Sequence, residues 1–276
     1  MNLYISDLDG TLLTNTATVS ATSKDLINKA IANNINFTIA TARTPATAVN
    51  ILEGLNITMP IITMNGSTIY DMKNNKYLYY STIDNSLLSP LQALIKEANI
   101  DAFIYCMKDN HLFVYHNKLT HPYQISFHNE RLSTPYKTFI EKPLPSNCEV
   151  LYFTIMDYEN KVNLLYDRIK NIEGISITKY RDTYNMDIIN LEIYHASSSK
   201  ASAINYLKNY FHFNKLITFG DNLNDIPMFQ ISDECYAVEN ATAELKKIAT
   251  KVIGANTEDS VAHFIFEESQ NLSKNC

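Results

Sequence analysis

Residues 3–11 of the chain read LYISDLDGT, and this stretch decides the fold. Residues 3–5 predict a short buried strand that runs directly into an acidic turn. Asp7 and Asp9 follow that strand, and α/β proteins bind ligands at the carboxyl edge of a parallel sheet. Two carboxylates this close repel each other unless a cation lies between them or one is protonated. The pair predicts a magnesium site, because Mg²⁺ prefers oxygen ligands, although an Asp-rich turn bent at Gly10 is an equally simple interpretation.

A second acidic strand end lies near the C-terminus, where residues 217–225 read ITFGDNLND. Asp221 and Asp225 are four residues apart, and Asn224 lies between them. A helix-capping turn is the simpler interpretation of this motif alone. Two acidic strand ends in one parallel sheet, however, converge naturally on one metal ion.

Short apolar strands alternate with helical patterns at both ends of the chain. Strands are predicted over residues 36–40, 60–64, 216–219, 235–238 and 252–253. Helices are predicted from Ser20, from Thr44-Pro45, and over 201–210, 242–249 and 258–266. This alternation is typical of a parallel sheet that is covered by helices on both faces. The fold class predicted for the two ends is therefore α/β.

The middle of the chain, residues 84–193, has a different pattern. It predicts helices over 87–98 and 159–169, a hairpin of strands 102–106 and 112–116, and strands over 150–156, 175–180 and 186–194. Residues 117–147 hold four of the eight prolines and give no clear pattern. We interpret 84–193 as an α+β domain inserted into a core domain formed by 1–83 and 194–276. Two adjacent crossings of this kind can act as a hinge.

The composition limits the classes of partner. The 276 residues are 46% hydrophobic, which excludes global disorder, and 23 basic against 29 acidic residues give a net charge of −6. An acidic chain without a dense basic run is a poor partner for nucleic acid or an anionic membrane. No stretch approaches the ~20 apolar residues of a membrane span, and the N-terminus does not resemble a signal peptide, so a cytoplasmic protein is expected. The four widely spaced cysteines predict reduced thiols rather than a zinc site.

Two further signals are weak when taken alone. Thr41 follows the strand over 36–40, and Arg43 comes two residues later. A hydroxyl at that position could hold an anionic oxygen, but a simple loop threonine is the more economical interpretation. Lys200 opens a helix after three serines and could neutralise anionic charge, although most lysines are exposed on the surface.

Taken together, these residues resemble a known family. Asp7-x-Asp9-Gly10-Thr11, Thr41, Lys200 and Gly220-Asp221-x-x-Asn224-Asp225 match, in order, the four motifs of the haloacid dehalogenase (HAD) superfamily. The chain is most similar to the Cof-type branch, subclass IIB, of magnesium-dependent phosphatases. Asn240-Ala241 and the run 256–262 also resemble this branch. The resemblance covers the whole chain and implies a Rossmann-like HAD core with an inserted α+β cap at 84–193.

The resemblance also implies a role for each residue. Asp7 would attack phosphorus, and Asp9 would act as general acid and base. Magnesium would bind the carboxylates of Asp7 and Asp221 and the main-chain carbonyl of Asp9, with Asn224 and Asp225 supporting these ligands. Thr41 and Lys200 would bind the phosphoryl oxygens, with Lys200 also placing Asp7, and Asn224 and Arg43 are further phosphate-binding candidates. The cap would close over the site and set specificity, with possible contacts from His111, His116, His121, His128 and Arg131.

The expected substrate is a small phosphorylated metabolite, with sugar phosphates foremost. A phosphomutase of the phosphomannomutase type is the alternative enzyme, because it shares the covalent step. A non-catalytic metabolite sensor on the same fold is the alternative from another class. The complete acidic set argues against a sensor, and the sequence leaves the oligomeric state open.

Overall fold

The computed structural model describes residues 1–182 and 185–274, so Cys276 and the prediction of a reduced thiol there lie outside it. The chain divides into two units. The core unit comprises Met1–Tyr79 and Ser199–Cys276, and the insert unit comprises Tyr80–Ser198. The described residues form a five-stranded, a six-stranded and a three-stranded sheet.

The strands of the described residues are, in chain order, β1 Asn2–Ser6, β2 Asn36–Ile39, β3 Ile61–Thr63, β4 Thr68–Asp71, β5 Lys76–Tyr80, β6 Phe103–Lys108, β7 His111–His116, β8 Lys137–Glu141, β9 Glu149–Tyr158, β10 Ile175–Arg181, β11 Ile188–His195, β12 Lys215–Gly220, β13 Glu234–Ala237 and β14 Lys251–Val252. The helices are α1 Ala21–Ala32, α2 Pro45–Ile51, α3 Asn85–Glu97, α4 Pro122–Asn129, α5 Glu159–Ile169, α6 Lys200–Phe211, α7 Ile226–Gln230, α8 Ala243–Ile248 and α9 Ser260–Lys274.

The core unit is built on a parallel sheet with the strand order β14-β13-β12-β1-β2. β1 is paired on both sides, and its apolar residues 3–5 are completely or almost completely buried. Such double-sided burial is what a continuous apolar run predicts for a parallel strand. Ser6 pairs with Phe219 of β12, so the residues that follow β1 and β12 emerge side by side at the carboxyl edge. The α/β fold class expected from the sequence is confirmed.

Helix α1 begins where the sequence predicts. The Ser20 hydroxyl accepts a hydrogen bond from the Ser23 amide (2.9 Å), which satisfies one of the free N–H groups of the first turn. The hydroxyls of Ser20 and Ser23 in turn donate to Asp259, at the start of α9. α9 begins near the predicted residue but continues to Lys274, eight residues beyond the predicted end.

β3 belongs to a small antiparallel sheet in the order β3-β4-β5. The sequence predicted β3 but neither β4 nor β5. The chain reverses from β3 into β4 through Met64, Asn65 and Gly66, all of which have positive φ. The rings of Tyr70 on β4 and Tyr77 on β5 then pack edge to face at 4.9 Å.

The insert unit contains a six-stranded sheet in the order β10-β11-β9-β6-β7-β8. The predicted hairpin is present as β6 and β7, and the segment that gave no clear pattern contains α4 and the edge strand β8. Helices α3 and α5 cover one face with an apolar core that includes Leu91, Phe153 and Leu165. No helix among the described residues is both long enough and apolar enough to cross a bilayer.

We expect Gly66→Ala to destabilise the core unit much more than Gly54→Ala. Both glycines have positive φ (+89° and +87°), which costs about 1–2 kcal/mol for an L-residue. A Cβ atom at Gly66 would also lie 2.0 Å from the Ser199 carbonyl oxygen, whereas at Gly54 it would lie 3.4 Å from the flexible Lys24 side chain. Urea unfolding should therefore show a further loss of roughly 2 kcal/mol for Gly66→Ala. Equal losses would contradict the close backbone approach.

Candidate active site

Asp7 lies at the carboxyl edge of the core sheet, directly after β1. Its amide donates to the Phe219 carbonyl oxygen (3.0 Å), which continues the β1–β12 pairing by one residue. Its side chain is 8% exposed. The backbone pairing thus fixes this carboxylate next to the end of β12, which Asp221 follows directly.

The turn after Asp7 is shaped by Gly10, which has φ +78°. A Cβ atom there would lie 2.3 Å from Asp221 Oδ2, so only glycine lets the two loops approach this closely. The next residue, Thr11, donates from its hydroxyl to Asp221 Oδ1 (3.2 Å). The loops after β1 and β12 are therefore directly joined at the site.

Lys200 is the first residue of α6 and reaches into this site. Ser199 caps the helix, since its hydroxyl accepts from the Ser202 amide and its amide donates to the Ser202 hydroxyl, both at 3.0 Å. The Lys200 ammonium donates to Asp7 Oδ1 and to Asp225 Oδ1, each at 2.6 Å, and the residue is only 2% exposed. One buried cation thus bridges two carboxylates from different loops.

Asp225 is completely buried at the end of a 3₁₀ turn that spans Leu223–Asp225. Its Oδ2 accepts from the amides of Asp221 (3.0 Å) and Asn222 (3.2 Å), while its Oδ1 accepts from Lys200. Both oxygens are therefore engaged by protein donors. This arrangement holds the Asp221 loop in place and keeps Lys200 next to Asp7.

The cluster carries more negative than positive charge. One carboxylate oxygen from each of Asp7, Asp221 and Asp225 lies within 4.8 Å of the others, and Lys200 contacts two of the three residues. Burial and the neighbouring Asp225 raise the pKa of Asp221 to about 7. Burial also raises the pKa of Asp7, which Lys200 opposes and the other two carboxylates reinforce. A divalent cation would relieve this repulsion, so the donor set fits magnesium.

For the pKa of Lys200, the neighbouring charges outweigh the effect of burial. Burial alone would lower the pKa of its ammonium, but the carboxylates of Asp225 and Asp7 outweigh that effect and raise it. Lys200 therefore stays charged at neutral pH, as a group that neutralises anionic oxygens must.

Asp9 points elsewhere and forms a two-point ion pair with Arg43. Arg43 Nε donates to Asp9 Oδ2 (2.7 Å) and Nη2 donates to Oδ1 (2.6 Å). The Asp9 side chain is 54% exposed, in contrast to the buried Asp7. Two aspartates that are separated by a single residue thus have different environments, one bound by lysine in the interior and one bound by arginine at the surface.

The remaining sequence-predicted residues lie on neighbouring loops. Thr41 is buried, and its hydroxyl accepts from the Arg43 amide (3.1 Å), so it shapes the loop that presents Arg43. Asn224 is exposed in the 3₁₀ turn before α7. Within the described ranges, neither side chain hydrogen-bonds to the acidic cluster.

Two asparagines support the site although the sequence gave them no role. Asn240 Nδ2 donates to the Gly10 carbonyl oxygen (2.7 Å), and its Oδ1 accepts from the Asn256 amide (3.1 Å). Asn256 Nδ2 in turn donates to the Leu13 carbonyl oxygen (2.7 Å). We call Asn240 and Asn256 the asparagine clamp. The sequence signal for these asparagines was that both stretches resemble the Cof-type branch. This resemblance does not indicate which groups the two side chains contact.

The parallel sheet and the acidic cluster at its carboxyl edge define an α/β protein with a charged site where this class binds ligands. Residues 4–265 match the family described as haloacid dehalogenase-like hydrolase. The chain therefore belongs to this family and is a HAD-type phosphatase.

A curated relative is similar in sequence over nearly the whole chain, and solved structures share its fold. The chain is similar to the 5-amino-6-(5-phospho-D-ribitylamino)uracil phosphatase YwtE of Bacillus subtilis, with 30% identity covering 96% of this chain and 97% of that protein. A haloacid dehalogenase-like hydrolase from Bacteroides thetaiotaomicron has the same fold, with a TM-score of 0.77, 20% identity and coverage of 97% and 99%. A subclass IIB sugar phosphatase matches with a TM-score of 0.75, 20% identity and the same coverage.

We expect Asn240→Ala to weaken magnesium binding by about 10-fold, because the clamp orients the turn that follows Asp9 and carries Gly10. Asn28→Ala is the matched control. Asn28 Nδ2 also donates to a glycine carbonyl, that of Gly54 (2.8 Å), and its Oδ1 accepts from the Asn56 amide, but that loop holds no candidate residue. Calorimetric magnesium titration and urea unfolding should separate the two variants. Equal magnesium affinities would show that the clamp does not act on the site.

Proposed function

We propose that the protein is a magnesium-dependent phosphatase that hydrolyses small phosphorylated metabolites through an aspartyl-phosphate at Asp7. The observation that carries this proposal is the bridge from Lys200 to Asp7 inside a cluster with surplus negative charge. A buried carboxylate positioned by a fixed ammonium, which opposes the rise in its pKa caused by burial, is suited to act as a nucleophile. Phosphoryl transfer needs mainly such positioning and charge neutralisation.

The metal would be held by the carboxylates of Asp7 and Asp221 and by the main-chain carbonyl of Asp9. When bound, magnesium would neutralise charge on the phosphoryl oxygens. Asp225 is better suited to support than to ligation, because both of its oxygens already accept protein hydrogen bonds. Asn224 lies in the same turn. Together with Asp225, it is proposed to support the part of the site that binds the phosphoryl group.

In the first step, Asp7 attacks phosphorus while Asp9 protonates the departing oxygen. In the second step, Asp9 removes a proton from the water that cleaves the aspartyl-phosphate. The two-point contact with Arg43 suits the ionised form of Asp9, which is the form needed in the second step. Arg43 would release Asp9 for the first step and is then available to the substrate phosphate.

Lys200 and Thr41 are proposed to bind the phosphoryl oxygens. Lys200 is charged and fixed at the site, so it requires no reorganisation when negative charge shifts during the reaction. The Thr41 hydroxyl, which already accepts from the Arg43 amide, still has its own proton to donate.

The relative with 30% identity is named for a phosphorylated polyol attached to a pyrimidine, which supports a small phosphorylated metabolite as the substrate class. Sugar phosphates stay the foremost prediction within that class, and the insert unit is proposed to act as the cap that recognises the rest of the substrate. A cytoplasmic location also stays a prediction. A phosphomutase would return the phosphoryl group to sugar, so release of free phosphate from several substrates separates the two activities.

We expect p-nitrophenyl phosphate hydrolysis to need magnesium and to stop with excess EDTA. Calcium should inhibit, because its larger and less regular ligand shell fits the site poorly. Phosphate release should be measured across a magnesium titration. Full turnover in EDTA would remove the metal from the mechanism.

Asp7→Asn and Asp9→Asn should fail in different ways. Asp7→Asn removes the nucleophile, so no phospho-enzyme should form with any substrate. Asp9→Asn loses proton transfer, worth about 10²–10⁴ in rate, and should be impaired less with an aryl phosphate, whose leaving group needs no proton. Rapid-quench kinetics should show a burst for Asp9→Asn only. Equal losses on aryl and sugar phosphates, with no trapped intermediate, would mean that the roles are wrongly assigned.

A further inference from the structure

The loop between β3 and β4 contains one residue whose backbone conformation the reversal of the chain does not require. Asn65 and Gly66 have φ +53° and +89°, and the Ser67 amide donates to the Met64 carbonyl oxygen (3.0 Å) across them. Both central residues of such a turn have positive φ, and Asn-Gly is the preferred pair for it. Met64 precedes this pair and nevertheless has φ +52°.

A left-handed backbone is unfavourable for methionine. Asparagine can offset the cost with local hydrogen bonds of its short side chain, and glycine has no Cβ atom to clash, but methionine has neither advantage. Residues persist in such conformations only where the surrounding structure imposes them, and they cluster at functional sites. Met64 is 1% exposed, so it is fixed inside the core unit. The contacts of its backbone show what this conformation achieves.

The amides of Met64 and Asn65 hold the loop that follows β2. The Met64 amide donates to the Arg43 carbonyl oxygen (2.9 Å), and the Asn65 amide donates to the Thr41 carbonyl oxygen (3.1 Å). The φ and ψ angles of Met64 set the directions of these two successive amides, because the peptide groups themselves are rigid. Residues 41–43, which we call the 41–43 loop, carry two of the phosphate-binding candidates.

The other side of the turn lies against the start of α6. A Cβ atom at Gly66 would lie 2.0 Å from the Ser199 carbonyl oxygen and 2.9 Å from the Lys200 amide nitrogen, so the glycine packs on the peptide group that joins these two residues. The same carbonyl oxygen accepts from the Ala203 amide (3.2 Å) in the first turn of the helix. The turn therefore lies between the 41–43 loop and the residue that contacts Asp7.

We propose that Met64 is a positioning residue for phosphoryl transfer. Its left-handed backbone fixes the 41–43 loop relative to Lys200, so that groups from both sides reach one phosphoryl group. The inference rests on the proposed phosphatase function, which gives Thr41, Arg43 and Lys200 their roles. Met64 acts through main-chain hydrogen bonds and not through contact with the substrate. Such positioning matters because a displacement of about 1 Å can lower a rate about 10²-fold.

Two substitutions separate the backbone conformation of Met64 from its packing. Met64→Ile keeps a large apolar side chain, but a β-branched residue strongly disfavours positive φ. Met64→Gly loses the side chain and adopts positive φ readily. If Met64 only fills space, the isoleucine variant should be the more active one, whereas a positioning role predicts the reverse. The assay is p-nitrophenyl phosphate hydrolysis with magnesium, measured below the Tm of each variant.

We expect kcat of Met64→Gly to exceed that of Met64→Ile by about 10-fold or more. This order should hold although the glycine variant leaves a cavity and unfolds at a lower temperature than wild type. Inorganic phosphate should inhibit the isoleucine variant more weakly, because phosphate binds through the 41–43 loop. Calorimetric magnesium affinity should be the same in both variants, since no proposed metal ligand lies on that loop. Met64→Leu, which is not branched at Cβ, should also exceed Met64→Ile in kcat.

Asn34 provides a matched control in the core unit. It has φ +65°, is exposed and precedes β2, so it lies at the opposite end of that strand from the 41–43 loop. Asn34→Ile should unfold at a lower temperature than Asn34→Gly, because the same backbone strain applies. The two variants should have the same kcat. A difference as large as that of the Met64 pair would overturn the proposal, since strain far from the site would then be sufficient.

Equal kcat values for Met64→Gly and Met64→Ile would also overturn the proposal, as would a more active isoleucine variant. If Met64→Ile does not fold, Met64→Ala replaces it. Alanine and glycine remove nearly the same side chain, but only glycine adopts positive φ freely, so the glycine variant should still be the more active one. If wild type hydrolyses p-nitrophenyl phosphate, these results count against Met64 alone. Failure of wild type to hydrolyse it with magnesium would overturn the proposed function and this inference together.

Discussion

The candidate site depends on one ammonium group placed between two carboxylates. Lys200 reaches Asp7 and Asp225 from the first turn of a capped helix, and burial makes this contact strong because little water screens it. Removing the lysine would leave two buried carboxylates without compensation, which costs about 3–5 kcal/mol in comparable buried pairs. The loop after β1, the loop after β12 and the start of α6 are therefore held together by a single cation.

The same charge balance explains why the acidic cluster favours the binding of a second cation. Lys200 compensates one negative charge, and Thr11 and the Asp221 and Asn222 amides contribute hydrogen bonds but no net charge. Burial, together with the repulsion from Asp225 that remains, raises the pKa of Asp221. The fold thus provides a lysine to set the position of the nucleophile and leaves the remaining charge for a ligand to neutralise.

The sequence predicted the parts of this molecule that are encoded locally. Apolar runs followed by acidic turns identify β1 and β12, because strand burial and the turn that ends it depend on adjacent residues. The contact from Lys200 to Asp7 spans 193 positions, so only the resemblance to a known family connected them. The asparagine clamp was missed because a side-chain amide bound to a distant carbonyl leaves no periodic pattern. The left-handed backbone of Met64 was also missed, since methionine has no preference for that conformation.

The central position of β1 has a consequence for how the chain is made. β1 leaves the ribosome well before its neighbour β12, which follows only after the whole insert, and Thr11 lies 210 positions from its partner Asp221. Until then, one edge of an apolar strand lacks its native neighbour, and exposed strand edges promote wrong pairing. The insert sheet, by contrast, is contiguous in sequence and is complete in the nascent chain before β12 emerges. Synthesis in this order leaves β1 without its β12 partner for longer than any strand of the insert sheet waits for its own neighbours.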